Sequence, residues 1–225
     1  MPLKMPESSA SITLAMMREA LSSALVCDAL DTFGLRSQSP RIDWPVKTVD
    51  GLLVGRCKTT LWSDSPTSGA HPYEKELLAV DKCRPDQVLI AAAGGSTRSG
   101  IWGELLSTAA RNRGCVGAIV DGAVRDFAQM QKMRFPAFAR ASCPYDSKDR
   151  QEVTALDVAV EIAGVVFRPN DLVFADADGV VIVPVEVEEE VIRRAWNKAR
   201  DENRSREAIQ QGMKVTEAYR RFGVL

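Results

Sequence analysis

Residues 94–126 read GGSTRSGIWGELLSTAARNRGCVGAIVDGAVRD, and this stretch decides the fold. Just before it, Val88–Ala92 is a short apolar run that Gly94-Gly95 breaks, which predicts a buried strand and a turn. A helix is expected from Ile101 to Arg113, with Ile101, Trp102, Leu105 and Ala109 on one side and Gly114 ending it. Val116–Val120 is continuous and apolar, the pattern of a strand covered on both faces. Strand, helix and strand in this order predict a β-α-β unit inside an α/β domain.

The polar residues of the stretch gather at its two ends. Rises per residue indicate that these ends meet. From Glu104 to Arg113 a helix climbs roughly 14 Å, and from Val116 to Asp121 a strand descends roughly 17 Å. The turn carrying Arg125-Asp126 should therefore lie beside Gly103, Glu104, Leu105 and Leu106 at the helix N-terminus. That terminus offers unpaired N–H groups and the positive end of the helix dipole, a cradle for a carboxylate or phosphate. Gly94, Gly95 and Gly100 let backbone approach a ligand closely. Arg125 supplies a planar donor fork, and Asp126 and Glu104 supply hard oxygen ligands, directly or through water. Each element also has a plainer reading: a Gly-Gly turn, an Arg-Asp surface ion pair, an Asp that only caps the next helical turn.

Working outward, helices are expected at Ile12–Leu21 and, capped by Ser22-Ser23, at Ala24–Phe33 before Gly34. In the second, Leu25, Ala29 and Phe33 share a face that Asp28 borders. Residues 1–10 read as a loose end or an arm lying on another subunit. Leu52–Val54 and Cys57–Trp62 read as strands, 63–69 as a loop and Pro72–Val80 as a short helix. Arg84-Pro85-Asp86 reads as a turn. Beyond the central stretch come a helical turn at Phe127–Met133, a strand at Phe138–Ala141 and a polar loop, CPYDSKDRQE. Two hairpins follow: Val158–Ile162 with Val165–Phe167, and Leu172–Ala175 with Val180–Val183 around Asp178-Gly179. A last helix starts near Val187, with acids first and bases later, and Gly212 interrupts it. One domain over 1–225 is expected, with an N-terminal arm at 1–21 and a C-terminal helical arm at 186–225.

Composition excludes several classes. Lys+Arg 29 against Asp+Glu 30 leaves a net charge of −1, so no basic footprint argues for nucleic acid. Five scattered cysteines without a CxxC pair argue against a disulfide framework or thiolate zinc. No apolar run suits a signal peptide or a membrane span, so a cytoplasmic protein is expected. With one histidine, His71, read as a cap or surface group, any metal site must rest on carboxylates. That favours Mg²⁺ or Mn²⁺ over zinc. Gly95-x4-Gly100 has P-loop spacing, but Ile101-Trp102 stand where Lys-Ser/Thr is required, so a nucleotide site is disfavoured.

The spaced pattern GG-x(6)-WGELL-x(3)-A-x(4)-G-x-x-G-x-V/I-V-DG-x-x-RD, followed by PNDLVFADADGVVIVP, resembles the RraA-like family. That family includes 4-hydroxy-4-methyl-2-oxoglutarate / 4-carboxy-4-hydroxy-2-oxoadipate aldolases and the regulator of ribonuclease E activity. The resemblance runs from about Ser22 to the C-terminal FGVL. It implies an α-β-β-α sandwich similar to a phosphohistidine swivelling domain, assembled as a trimer or dimer of trimers with sites between subunits. It also implies that Asp126 binds Mg²⁺ or Mn²⁺ and that Arg125 holds the pyruvyl oxygen. Gly103 and the amides of Leu105 and Leu106 would bind substrate, and Glu104 would position a metal-bound water. Asp28 and Glu202 would face the metal waters from the adjoining subunit.

Two departures stand out. Asn170 replaces the glycine of a Pro-Gly-Asp turn, and Asn tolerates left-handed backbone. Stretches 36–48 and 63–73 match no family pattern. The expected activity is metal-dependent cleavage of a 4-hydroxy-2-oxo acid to pyruvate, with oxaloacetate decarboxylation through the same enolate. Rival readings are a protein-binding regulator of ribonuclease E without catalysis, or a lyase for another, sugar-derived 2-oxo acid.

Overall fold

The computed structural model describes residues 12–65, 67, 69 and 71–224, so the arm expected at 1–10 lies outside the described residues. The central unit is built from β3 (Gln87–Ala92), β4 (Gly100–Trp102), α4 (Glu104–Asn112) and β5 (Gly117–Val124). All eight residues of β5 are buried. Its neighbours β3, β4 and β6 (Ala137–Ser142) all run parallel to it, as the continuous apolar run predicts. The helix is shorter than expected at its start. Ile101 and Trp102 lie in β4, whose pairing with Ala123-Val124 claims their backbone. The face of α4 that packs inward is Ser107 and Ala110, and Leu105 is 74% exposed, contrary to the predicted apolar side.

Around this unit the sheet runs β1-β6-β5-β3-β2-β10-β11, with β4 on β5 and β7 on β2. Here β1 is Val46–Lys47, β2 Leu53–Asp64, β7 Gln151–Leu156, β10 Leu172–Ala175 and β11 Val180–Val183. The short β1 falls where no element was expected, and β7 begins at the end of the expected polar loop CPYDSKDRQE and runs beyond it. The two strands expected around Gly55 are one strand of 12 residues. Gly55 is a point of close approach there: a Cβ would meet the Asp86 carbonyl at 2.5 Å and Val88 Cγ2 at 2.8 Å.

Alternation along the strands sends side chains to different cores. On one face, Leu89, Ala91, Ala118 and Val120 pack with Ala79-Val80 of α3 (Glu74–Asp81), Ala110 of α4 and Met130 of α5 (Phe127–Lys132). On the other, Val88, Ile90, Ile119 and Phe138 pack under a separate hairpin, β8 (Val160–Ile162) and β9 (Val165–Phe167). Ala163 and Gly164 turn that hairpin with φ 47° and 81°, the left-handed pair a two-residue loop requires.

At the β10–β11 end, Leu172, Phe174, Val181 and Val183 pack against α1 (Leu14–Ala20), α2 (Ser23–Asp31) and α6 (Glu188–Gln210). Ser22 caps α2 through its hydroxyl, as expected. The buried face of α2 is Ser23, Val26, Ala29 and Leu30, one step round from the predicted Leu25-Ala29-Phe33, and Phe33 is 38% exposed. Gly212 separates α6 from α7 (Val215–Phe222), and Asn170 takes the left-handed backbone anticipated for it, φ 70°. Among the described residues no helix is long and apolar enough to cross a membrane, and all five cysteines are free.

Candidate active site

The two ends of the central stretch do meet, and β4 is what joins them. The Arg125 amide donates to the Trp102 carbonyl at 2.8 Å, which sets Arg125-Asp126 against the head of α4. Gly103, the N-cap of α4, makes the approach possible. A Cβ there would sit 2.7 Å from Asp126 Oδ2 and 3.0 Å from Arg125 Cγ. Trp102, stacked on Phe135 at 6.2 Å between ring centroids, fixes the same corner by donating its Nε1 to Ser107 Oγ at 2.8 Å.

Asp126 is not a simple helix cap. It holds a left-handed backbone, φ 54° and ψ 35°, at the N-cap position of α5, yet its side chain makes no capping bond. Its Oδ2 instead accepts from the Glu104 amide at 3.3 Å and lies 3.8 Å from Arg125 Nε. Left-handed backbone recurs at seven other described non-glycine residues, so what marks Asp126 is its side chain's bond to the Glu104 amide rather than its backbone. The first intrahelical bond of α4 runs from the Ser107 amide to the Gly103 carbonyl at 3.0 Å, so the amides of Leu105 and Leu106 lie ahead of it.

Arg125, Asp126, Gly103, Leu105 and Leu106 line one cavity of about 270 Å³. The same cavity is walled by Tyr73, Glu76 and Leu77 around α3 and by Asp146-Ser147 from the loop before β7. Arg125 Nη1 donates to Asp146 Oδ2 at 2.6 Å, and Tyr73 donates its hydroxyl to Asp146 Oδ1 at 2.7 Å. Burial pushes the Asp146 carboxyl up. The Lys148 amide, the Tyr73 hydroxyl and Arg125 outweigh it and hold the group below the usual range. The bond to Asp146 raises the Tyr73 phenol to about 12. Glu76 accepts from Ser147 Oγ at 3.3 Å, and burial lifts its carboxyl from 4.5 to about 7.

Sequence reading missed this second wall. Tyr73 falls in a stretch without pattern, and Asp146 lies in what reads as a plain polar loop. Helical periodicity does not single out Glu76 either, since Leu77 and Leu78 beside it are exposed.

Other expected residues lie apart. Gly94-Gly95 form a turn outside the cavity, with φ 59° and 76°. Gly95 donates its amide to Asp121 Oδ2 at 3.1 Å, and Asp121 pairs with Arg140 at 2.5 Å. They staple the sheet and do not form the ligand cradle expected of them. The Glu104 carboxylate accepts from Thr108 Oγ1 at 2.8 Å, along its own helix, and does not line the cavity. Asp28 and Glu202 meet elsewhere, around Lys198, which bonds Asp28 directly and lies 3.7 Å from Glu202.

Among the described residues no three His, Cys, Asp or Glu side chains converge as a metal cage. Asp126 nevertheless faces the cavity at 42% side-chain exposure. A single carboxylate beside open space suits a hydrated hard cation such as Mg²⁺, which is commonly held by one or two carboxylates, waters and substrate.

Comparison with known proteins identifies the family. The RraA-like model, described as Aldolase/RraA, matches residues 23–182. This chain belongs to the RraA-like family. A relative in Halalkalibacterium halodurans, provisionally named 4-hydroxy-4-methyl-2-oxoglutarate aldolase, is 29% identical over 94% of this chain and 96% of its own. A similarly named Pseudomonas aeruginosa protein is 35% identical over 47% of this chain and 64% of its own. In that case the alignment spans under two thirds of the relative. Among solved structures, an uncharacterised Pseudomonas syringae protein superposes with a TM-score of 0.75 at 28% identity, covering 89% of this chain and 93% of that one. Streptomyces coelicolor RraAS2, titled an unusual member of the RNase ES inhibitor RraA family, gives 0.73 at 26% identity, covering 91% and 99%. The RraA-like match contains both walls of the cavity, from Tyr73 to Ser147.

Proposed function

We propose that this RraA-like protein is a divalent-metal-dependent lyase that cleaves a 4-hydroxy-2-oxo acid to pyruvate, with oxaloacetate decarboxylation as a second activity. The observation that carries the reading is Asp126. Its side chain makes no capping bond, and its carboxylate is held at the head of α4 beside Arg125. In this reading Asp126 holds Mg²⁺ or Mn²⁺, and the metal supplies Lewis acidity toward the 2-oxo acid when bound. The amides of Leu105 and Leu106 take the substrate carboxylate at the positive end of the helix. Arg125 donates to the oxygen on which negative charge grows as the carbon–carbon bond breaks, and Asp146 holds its guanidinium in place beforehand. The Glu104 amide orients Asp126, and the Glu104 carboxylate is held by Thr108 along its own helix.

Asp28 and Glu202 enter the scheme only through assembly. In a trimer or dimer of trimers the two carboxylates would face the metal waters from the adjoining subunit. The family also contains ribonuclease inhibitors, and RraAS2 resembles this chain over nearly its full length. A regulator acting by surface contact is therefore the second reading.

The test is pyruvate release from 4-hydroxy-2-oxo acids and oxaloacetate with Mg²⁺ or Mn²⁺, then with chelator. Activity should vanish with chelator and in Asp126→Ala. Turnover indifferent to both would sink the metal scheme. Absence of turnover on every substrate, together with measurable ribonuclease E binding, would establish the regulator instead.

A further inference from the structure

Resting on the lyase reading, we infer that the wall formed by Tyr73, Glu76, Asp146 and Ser147 selects a substrate whose tail is uncharged and hydroxylated, a sugar-derived 2-oxo acid, and disfavours one ending in a second carboxylate. The contacts give the order of groups around the cavity. The Glu104 amide touches Asp126, Asp126 neighbours Arg125, Arg125 bonds Asp146, and Asp146 bonds Tyr73. Arg125 thus stands between the head of α4 and the α3 wall. A 2-oxo acid whose carboxylate sits on the Leu105 and Leu106 amides sends its tail past Arg125 towards that wall.

What the wall offers is almost entirely acceptors. Asp146 is a carboxylate held ionised by the Lys148 amide, Tyr73 and Arg125. The Tyr73 hydroxyl spends its proton on Asp146 and presents lone pairs. Glu76 presents a carboxyl that burial lifts to about 7. A carboxylate tail, itself only an acceptor, would meet the Asp146 anion and, beside it, a Glu76 carboxyl that can pair with it only in its protonated form. A hydroxyl both donates and accepts, so a polyol tail pairs with every one of these groups.

Among the described residues of this chain no cation in the cavity is spare: Arg125 is the only basic residue lining it, and one edge of its guanidinium is tied to Asp146. The basic groups nearby are placed otherwise. Lys75 donates to the Thr154 carbonyl, Arg150 lies over the Tyr145 ring and donates to the Asp146 carbonyl, and His71 and Lys148 line the adjoining cleft. A site built to recognise a dicarboxylate would place a free Arg or Lys where this one places Glu76 and Asp146, because a buried carboxylate left without a partner is costly.

The experiment uses the full chain with Mn²⁺ and two probes. One is 2-keto-3-deoxygluconate, with a hydroxylated tail. The other is 4-hydroxy-2-oxoglutarate, which ends in a second carboxylate. Binding is read by calorimetry and cleavage by pyruvate release. Wild type should bind the hydroxylated probe at least tenfold more tightly, and Glu76→Gln and Glu76→Lys should each narrow that ratio, the lysine more. If Glu76→Lys fails to fold, the wild-type ratio and Glu76→Gln still decide the matter. Equal or tighter binding of the dicarboxylate, with cleavage, would overturn this inference and leave the lyase reading standing. The predicted preference without cleavage of either probe would uphold the selective wall and refute the lyase. No binding of either probe would refute both.

Discussion

Gly103→Ala perturbs the Arg125-Asp126 corner, and Asp126 most of all, because the new Cβ would stand 2.7 Å from Asp126 Oδ2 and 3.0 Å from Arg125 Cγ. The backbone at Gly103 is extended, φ −155° and ψ −167°, so alanine adopts it without strain. Its Cβ, however, would stand 2.7 Å from Asp126 Oδ2, where ordinary contact begins near 3.4 Å. The carboxylate must therefore withdraw by 3.4 − 2.7 = 0.7 Å. Asp126 has little freedom to do so cheaply, because its backbone is fixed in the left-handed region and Oδ2 is tied to the Glu104 amide. Catalytic groups work within about 0.5 Å of their productive position, and a misplacement of about 1 Å can cost about 100-fold. We expect kcat/KM for pyruvate release to fall about 10- to 100-fold, or about 1.4–2.7 kcal/mol of transition-state stabilisation. Mn²⁺ affinity should fall with it. Folding stability should change by less than about 1 kcal/mol, since Gly→Ala at a compatible backbone gains about 0.4–1 kcal/mol from the unfolded state. Calorimetric Mn²⁺ titration, a coupled pyruvate assay and urea unfolding measure the three quantities. Wild-type metal affinity and turnover would refute the role of Asp126. A loss of several kcal/mol in stability would refute the claim that the clash is confined to the Asp126 and Arg125 side chains.

Two further predictions concern the frame around the site. Ser107→Ala strands the Trp102 Nε1–H, which is fully buried and donates only to Ser107 Oγ at 2.8 Å. An unpaired buried donor costs about 1–3 kcal/mol, so the urea midpoint should drop with an unchanged slope, and an unchanged midpoint would contradict this. Glu76 makes stability depend on pH. Its folded pKa of about 7 exceeds the ordinary 4.5, so between those values the folded protein keeps a proton the unfolded chain has released. That contribution is complete below about 4.5 and is lost as pH rises through about 7. Melting temperature across this window should fall more steeply for wild type than for Glu76→Gln, and parallel curves would show that Glu76 is not buried as described.

The parts of the fold that the sequence disclosed are those where one periodicity acts alone. β5 is apolar at nearly every position because both its faces are covered, and Ser22, Asp178-Gly179 and Gly212 punctuate as their chemistry requires. Misreadings arise where two demands overlap. Ile101 and Trp102 have helical spacing relative to Leu105, but edge pairing with β5 is worth more to them than another helical turn. Gly55 reads as a strand break, yet it is glycine because Asp86 and Val88 leave no room for a Cβ. The site divides in the same way. Arg125 and Asp126 belong to a contiguous signature whose rise arithmetic returns them to Gly103. Tyr73, Glu76 and Asp146 come from segments separated by more than 60 residues, brought together by α3 and the loop before β7, and no local pattern marks such a union.

The backbone ties the two walls together. Tyr73 and Asp126 are both non-glycine residues with left-handed φ, 73° and 54°, and both line the cavity. For a bulky aromatic this conformation is rare, and left-handed backbone costs about 1–2 kcal/mol per residue. Neither residue recovers the cost by capping the helix it precedes, since neither makes a side-chain capping bond. What each gains is an aim: Tyr73 reaches Asp146, and Asp126 reaches the Glu104 amide. Arg125 lies between them, bonded to Asp146 and within 3.8 Å of Asp126. Arg125 is thus bonded at Nη1 to the Asp146 that Tyr73 steadies and lies 3.8 Å through Nε from Asp126. A glycine at position 73 would relax its turn yet lose the hydroxyl that steadies Asp146, so the tyrosine is kept there for its contact and not for its backbone.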